Sequence, residues 1–177
     1  MKLKLAFFSL ALLVSGCASN SPVTDYDVNY DFAAVNQFQW QSPAEVSNPL
    51  THEKVKDAII NNLTQKGLYE ADPSAIKVTA YNQLIEKPKN TGFSVGIGGG
   101  SYGSSGGVGG SVRVPVGGNS EVHQFVRIDF VSSANQKLIW RGEASRAWVD
   151  GDNADKKQQI ITQLVNDILA KFPPDND

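Results

Sequence analysis

The only cysteine in 177 residues, Cys17, stands two small residues behind a ten-residue apolar run, and that placement constrains the whole chain. Lys2 and Lys4 precede the run, residues 5–14 are apolar except Ser9, and the small residues Ser15 and Gly16 follow. A positive start, a short apolar stretch and small residues make the three-part pattern of a secretory signal. A spanning helix needs about 20 apolar residues, so this run is too short to cross a membrane. A chain with one cysteine forms no internal disulfide. The 161 residues from Cys17 onward must therefore hold by packing alone, and they are enough for one domain to do so.

Val14-Ser15-Gly16-Cys17 resembles the lipobox of bacterial prolipoproteins, in which a branched or leucine side chain and two small residues precede the cysteine. Val stands here where Leu is commoner. The resemblance implies cleavage of residues 1–16, a diacylglycerol thioether on Cys17, and acylation of the new amino group. Two or more acyl chains anchor a protein stably, at about 0.8 kcal/mol per buried CH₂. Ala18 and Ser19 follow the cysteine, where Asp would favour the inner membrane. The expected address is the periplasmic face of the outer membrane. An ordinary signal with an incidental cysteine, or a buried N-terminal helix, is the rival reading. It leaves the position of the sole cysteine without a reason.

Removing residues 1–16 takes away Lys2 and Lys4 and moves the net charge from −2 to −4. A mildly acidic body argues against nucleic acid, which needs a basic stripe, and against a polybasic membrane-surface helix. Residues 17–24 read as the lipidated cysteine and a short polar tether. Residues 25–177 read as a single domain.

In residues 25–32, Tyr26, Val28, Tyr30 and Phe32 alternate with Asp25, Asp27, Asn29 and Asp31. Period two predicts a half-buried strand. Ala33-Ala34 interrupts it and Phe38 and Trp40 resume it, so the expectation is one broken strand or two short ones. Asn48-Pro49 reads as an N-cap with proline at the first helical position. Val55, Ala58, Ile59 and Leu63 then form the apolar stripe of an amphipathic helix, and Gly67 sits where a C′ glycine belongs. Ile76, Val78, Ala80, Asn82 and Leu84 predict a strand that ends at Pro88.

Residues 91–118 hold twelve of the sixteen glycines. The valine-rich flanks alternate, which reads as a hairpin-like extension with a glycine tip; a disordered insertion is the rival reading. Val122, Gln124, Val126, Ile128 and Phe130 share one face of the next strand, and residues 137–149 pair back on it. Ile161, Leu164, Val165, Ile168 and Phe172 make a second helical stripe, capped by Asp152 or Asn153 and stopped by Pro173-Pro174. The order is β-α-β-[glycine-rich hairpin]-β-β-α. It predicts an α+β two-layer sandwich, a mostly antiparallel sheet with two amphipathic helices on one face.

Tyr26-Asp27, Phe32, Phe38 and Trp40 open the domain, Leu138-Ile139-Trp140-Arg141-Gly142 lies in the late hairpin, and Phe172-Pro173-Pro174 closes it. In order and spacing these resemble the bacterial lipoprotein family called domain of unknown function 4136. The element order is also similar to that of the lipopolysaccharide-assembly lipoprotein fold. The family resemblance implies an envelope lipoprotein and carries over no catalytic or binding residue.

The chemistry-bearing residues are few. Cys17 is consumed by lipid. His52 falls in the first turn of the first helix and is expected to be solvated. His123 is expected to be a surface or half-buried polar side chain. Asp25, Asp27, Asn29 and Asp31 on one strand would stand about 6–7 Å apart, too open for one calcium ion. Residues 150–155 begin like a calcium loop, but Ala154, Asp155 and Ile161 occupy positions that need a ligand, a glycine and a glutamate. Gly98, Gly100 and Gly103 match G-x-G-x-x-G without the strand–helix setting that gives it meaning. Trp40, Trp140, Trp148, Tyr26, Tyr30 and Tyr81 are expected to pack as core, with a groove as the alternative.

These observations predict a non-enzymatic binding or accessory module of the envelope, without cofactor or metal. The membrane is met through Cys17 and another envelope protein through residues 91–118. A carrier of a lipid or other apolar ligand is the second reading. An envelope enzyme is the third.

Overall fold

The first helix shows most directly how the sequence sets the structure. In the computed structural model, which describes residues 21–88 and 120–174, helix α1 spans Pro49–Gln65. Asn48 accepts the Thr51 N–H through its side chain and Pro49 takes the first helical position, where a missing N–H is harmless. Val55, Ile59 and Leu63 are fully buried. Gly67 (φ +86°) then reverses the chain. Its N–H bonds the Thr64 carbonyl and the Leu68 N–H bonds the Leu63 carbonyl, both at 3.0 Å, which is the Schellman arrangement.

Strands β1 (Val23–Tyr26), β2 (Gln37–Trp40), β3 (Tyr69–Glu70), β4 (Ile76–Pro88), β5 (Ser120–Ser132) and β6 (Leu138–Ala147) form one sheet in the order β1-β6-β5-β4-β2-β3. The four strands β1, β6, β5 and β4 are antiparallel. β2 runs parallel to both β3 and β4. Helix α2 (Ala154–Leu169), capped by Asn153, packs beside α1 on the same face. The architecture is the expected α+β two-layer arrangement: one open sheet and two helices.

Val78, Ala80, Val126, Ile128, Phe130 and Trp140 line the inner face of the sheet, and Ile161, Leu164, Val165 and Ile168 meet them from α2. Each fully buried aliphatic or aromatic side chain contributes roughly 1.5–3 kcal/mol. Phe172 stacks on Phe130 at 4.3 Å and meets Trp140 edge-on at 5.4 Å. These three aromatic rings pack together between the sheet and the C-terminal end of α2. The two helices run in the same direction. Asn62 Nδ2 donates to Asn166 Oδ1 (2.8 Å) and Lys66 Nζ to the Phe172 carbonyl (2.9 Å).

The first strand departs from expectation. β1 begins at Val23, inside the segment read as tether, and ends at Tyr26. The alternation that continues to Phe32 is not strand. Asp27 Oδ1 accepts the Asn29 N–H (3.0 Å) and the Tyr30 N–H bonds the Asp27 carbonyl (3.1 Å). Asp31 caps a 3₁₀ helix, Phe32–Ala34. Aspartates that bond nearby backbone compete with the sheet ladder, and Val28 is left 79 % exposed in the turn.

Candidate functional site

One end of the sheet gathers both helix starts and several strand ends. β4 rises to Pro88, β5 starts from Ser120, and these two residues are paired. β6 ends there at Ala147, and both helices begin there. β1, antiparallel to β6 with Val23 opposite Glu143, has its N-terminal end toward the same side.

Between the two helix starts and β4 lies a cleft of about 840 Å³. Leu50, Lys54, Leu84, Trp148, Asp152 and Lys157 are among its walls. It exists because β2 pairs with β4 only at Lys77 and Val78. Past that point the β4 edge faces the loop leading to α1. The Gln41 N–H donates to the Val78 carbonyl (2.8 Å) and Ser47 Oγ to the Asn82 carbonyl (3.2 Å). On the other wall Lys157 Nζ sits 5.3 Å from the Trp148 ring centroid and donates to the Asp150 carbonyl (2.9 Å). Lys54 Nζ reaches the Ala154 carbonyl (3.5 Å). Gln124, 2 % exposed, donates to the Gln83 and Phe125 carbonyls. These polar walls are satisfied from within the protein.

The histidines do not meet in the cleft. His52 is 4 % exposed, not solvated as its place in the first turn suggested. Its ring lies 5.9 Å from Trp40 and its Nδ1 lies 3.1 Å from Asn82 Oδ1. His52 stands three residues before Val55 and seven before Ile59, on the same stripe, so its burial follows from the helical period once the helix packs on β4. His123 is equally buried, on the opposite sheet face, with Nε2 2.7 Å from Glu121 Oε1.

That opposite face carries a charge ladder across β5 and β6, flanked by Tyr81 on β4. Asp129, 3 % exposed, is gripped by Arg141 through Nε (2.7 Å) and Nη2 (2.8 Å). Arg127 Nε stands 3.6 Å from the same carboxylate, and its guanidinium lies 5.2 Å from the Tyr81 centroid. Glu143 faces Arg127 across the strands. Burial pushes its carboxyl above the ordinary range, Arg127 and Arg141 pull it down, and Asp129 adds a push upward. Two arginines and two carboxylates balance one another, as a structural ladder requires.

The other candidates have local explanations. Asp27 and Asp31 serve a turn and a cap. Asn153 caps α2 through the Lys156 N–H at 2.8 Å. Among the described residues no three His, Cys, Asp or Glu side chains gather to hold a metal ion. Trp140 is core, Trp40 is half-buried, and Trp148 alone of the tryptophans lines the cleft. Cys17 and residues 91–118 lie outside the described residues. Sequence reading missed the cleft wall formed by Leu50 and Leu84. The signal was Leu50 itself, a large apolar residue one step past Pro49 and off the helical stripe.

The fold defines an α+β domain with one mixed sheet, two parallel helices on one face, and a long antiparallel β4–β5 pair. The family model described as "Domain of unknown function (DUF4136)" matches residues 22–174, and the chain belongs to that family. No curated protein matches it. A PDZ domain protein from Parabacteroides distasonis is similar at 14% identity and a TM-score of 0.54, over 89% of this chain. This chain spans only 38% of that protein's length, and the likeness is one of fold. PelC from Paraburkholderia phytofirmans, a dodecamer, gives 11% identity and 0.48 over 84% of this chain and 95% of its own. A minor lipoprotein from Acinetobacter baumannii gives 12% and 0.42 over 77% and 91%.

Proposed function

We propose that this DUF4136 protein is a lipid-anchored envelope lipoprotein that acts as a non-enzymatic binding or accessory module. Acyl chains on Cys17 hold it at the periplasmic face of the outer membrane, and residues 91–118 meet a partner protein of the envelope. The anchor is supported by the sole cysteine behind Val14-Ser15-Gly16. Among the described residues no helix is long and apolar enough to cross a membrane.

One observation carries the binding role. β4 and β5 stay in register to the last described pair, Pro88 and Ser120. The described ladder thus holds its register up to the point where the glycine-rich segment departs, which supports that segment as the part offered to a partner. Glycine backbone also approaches a partner closely.

Two changes test this reading. Cys17→Ser should abolish lipid labelling and membrane attachment; normal attachment would overturn the anchor. Deleting residues 91–118 should leave a folded domain but remove its crosslinked partners from living cells. An unchanged crosslinking profile would overturn the partner role.

A further inference from the structure

The end of the sheet that carries both helix starts lies on the side from which β1 enters, and β1 begins six residues after Cys17. This is a consequence of strand direction. β1 descends from Val23, opposite Glu143, to Tyr26, opposite Trp140. Traced backward, the chain therefore heads toward Ala147, the end of β6. Four residues separate Glu143 from Ala147, or about 13 Å of strand. Six residues separate Val23 from Cys17 and span at most about 20 Å. Once the chain clears the end of the sheet, about 7 Å of slack remains.

That end is apolar at its tips. Leu50, at the start of α1, is 79 % exposed, Val149, before α2, is 59 % exposed, and Leu84, near the end of β4, is 50 % exposed. Their charged neighbours have mixed sign: Lys54, Lys87 and Lys157 against Glu86, Asp150, Asp152 and Asp155. Such a surface has no reason to seek anionic lipid, but its aliphatic tips can enter the boundary between headgroups and acyl chains.

We infer that this end rests on the phospholipid surface, with Leu50 and Val149 dipping into the headgroup boundary and the β5–β6 turn pointing away from it. The inference rests on the anchor proposed at Cys17. The short leash makes the contact intramolecular: lipid is always within reach, so weak apolar tips suffice to orient the domain. The cleft then opens toward the headgroups. The β5–β6 turn stands at the far end of a thirteen-residue strand, about 43 Å away.

The test uses the full lipidated protein in vesicles of phosphatidylethanolamine with a minor share of phosphatidylglycerol. The native thiol is occupied by lipid, so Leu50→Cys, Val149→Cys and Val28→Cys each accept a single environment-sensitive fluorophore. Val28 lies at the opposite end and matches Leu50 at 79 % exposure. Leu50 and Val149 labels should show blue-shifted emission and quenching by brominated lipid, unaffected by salt, while the Val28 label stays in water. Intact mass reports the acyl chains separately. Protein without acyl mass would overturn the anchor. Acylated protein whose Leu50 and Val149 labels behave like the Val28 label would overturn the orientation and leave the anchor standing. Labels shielded in whole envelopes but not in these vesicles would also overturn it, in favour of a protein partner on this end.

Discussion

A β-carbon on Gly142 would stand 2.6 Å from Cγ2 of Ile168 and would run into the Trp140 ring. Trp140 and Gly142 are two apart on β6, so they share the inner face, and the indole lies across the space that the glycine leaves empty. The Trp140-Arg141-Gly142 sequence is therefore a packing unit of two inward residues with an outward arginine between them. Gly142→Ala should destabilise the domain by about 1–3 kcal/mol through overpacking, read as a lower urea midpoint. Gly151→Ala, with no atom within 4 Å of the new carbon, should leave the midpoint unchanged.

Gly67 offers the complementary case. A β-carbon there meets nothing within 4 Å, but φ is +86°. Gly67→Ala should cost about 1 kcal/mol through backbone strain alone. Gly67→Asn should recover part of that loss, because Asn tolerates the left-handed region. Urea titration of both variants checks the order.

His52 and Asn82 form a buried pair, and His52 Nε2 has no partner among the described residues. Asn82→Ala should cost about 1–3 kcal/mol by leaving Nδ1 without its acceptor. Replacing both, His52→Phe with Asn82→Leu, should recover most of the loss, since a buried polar pair exchanged for apolar groups of similar shape is nearly neutral. A double variant no more stable than Asn82→Ala would show that the pair does more than satisfy itself.

Glu143 should make stability fall as pH rises. Burial raises its folded-state pKa above the ordinary 4.5, so the folded protein binds more protons than the unfolded chain in that window, and the slope of stability with pH is negative. This contribution is full below pH 4.5 and is lost as pH climbs through the raised value. Glu143→Gln should thus gain on the wild type between pH 4 and pH 7. Parallel urea titrations across that range measure the difference.

Long periodic segments were legible in the sequence. α1 could be read from Asn48-Pro49 to Gly67, and the buried face of β5 from its alternation, because one repeating burial pattern decides each. Residues 26–32 misled because Asp27 and Asp31 alternate at strand spacing while their side chains serve a turn and a cap. β3 was invisible, since two residues carry no period and pair with β2 only through its parallel neighbourhood. The burial of His52 was legible, since it stands at helical spacing from Val55 and Ile59, but its partner Asn82, 30 residues away in sequence, was not. The cleft arises from the early end of β2, a matter of strand lengths and not of residue type.

The closed register between Pro88 and Ser120 also has an evolutionary consequence. Length inserted between two strands that already hold each other adds chiefly the entropy of closing a longer loop. Each doubling of such a loop costs only about 0.6 kcal/mol. Added length at this connection should therefore cost the fold little. Variation there can rewrite a surface while the paired strands β4 and β5 behind it stay the same.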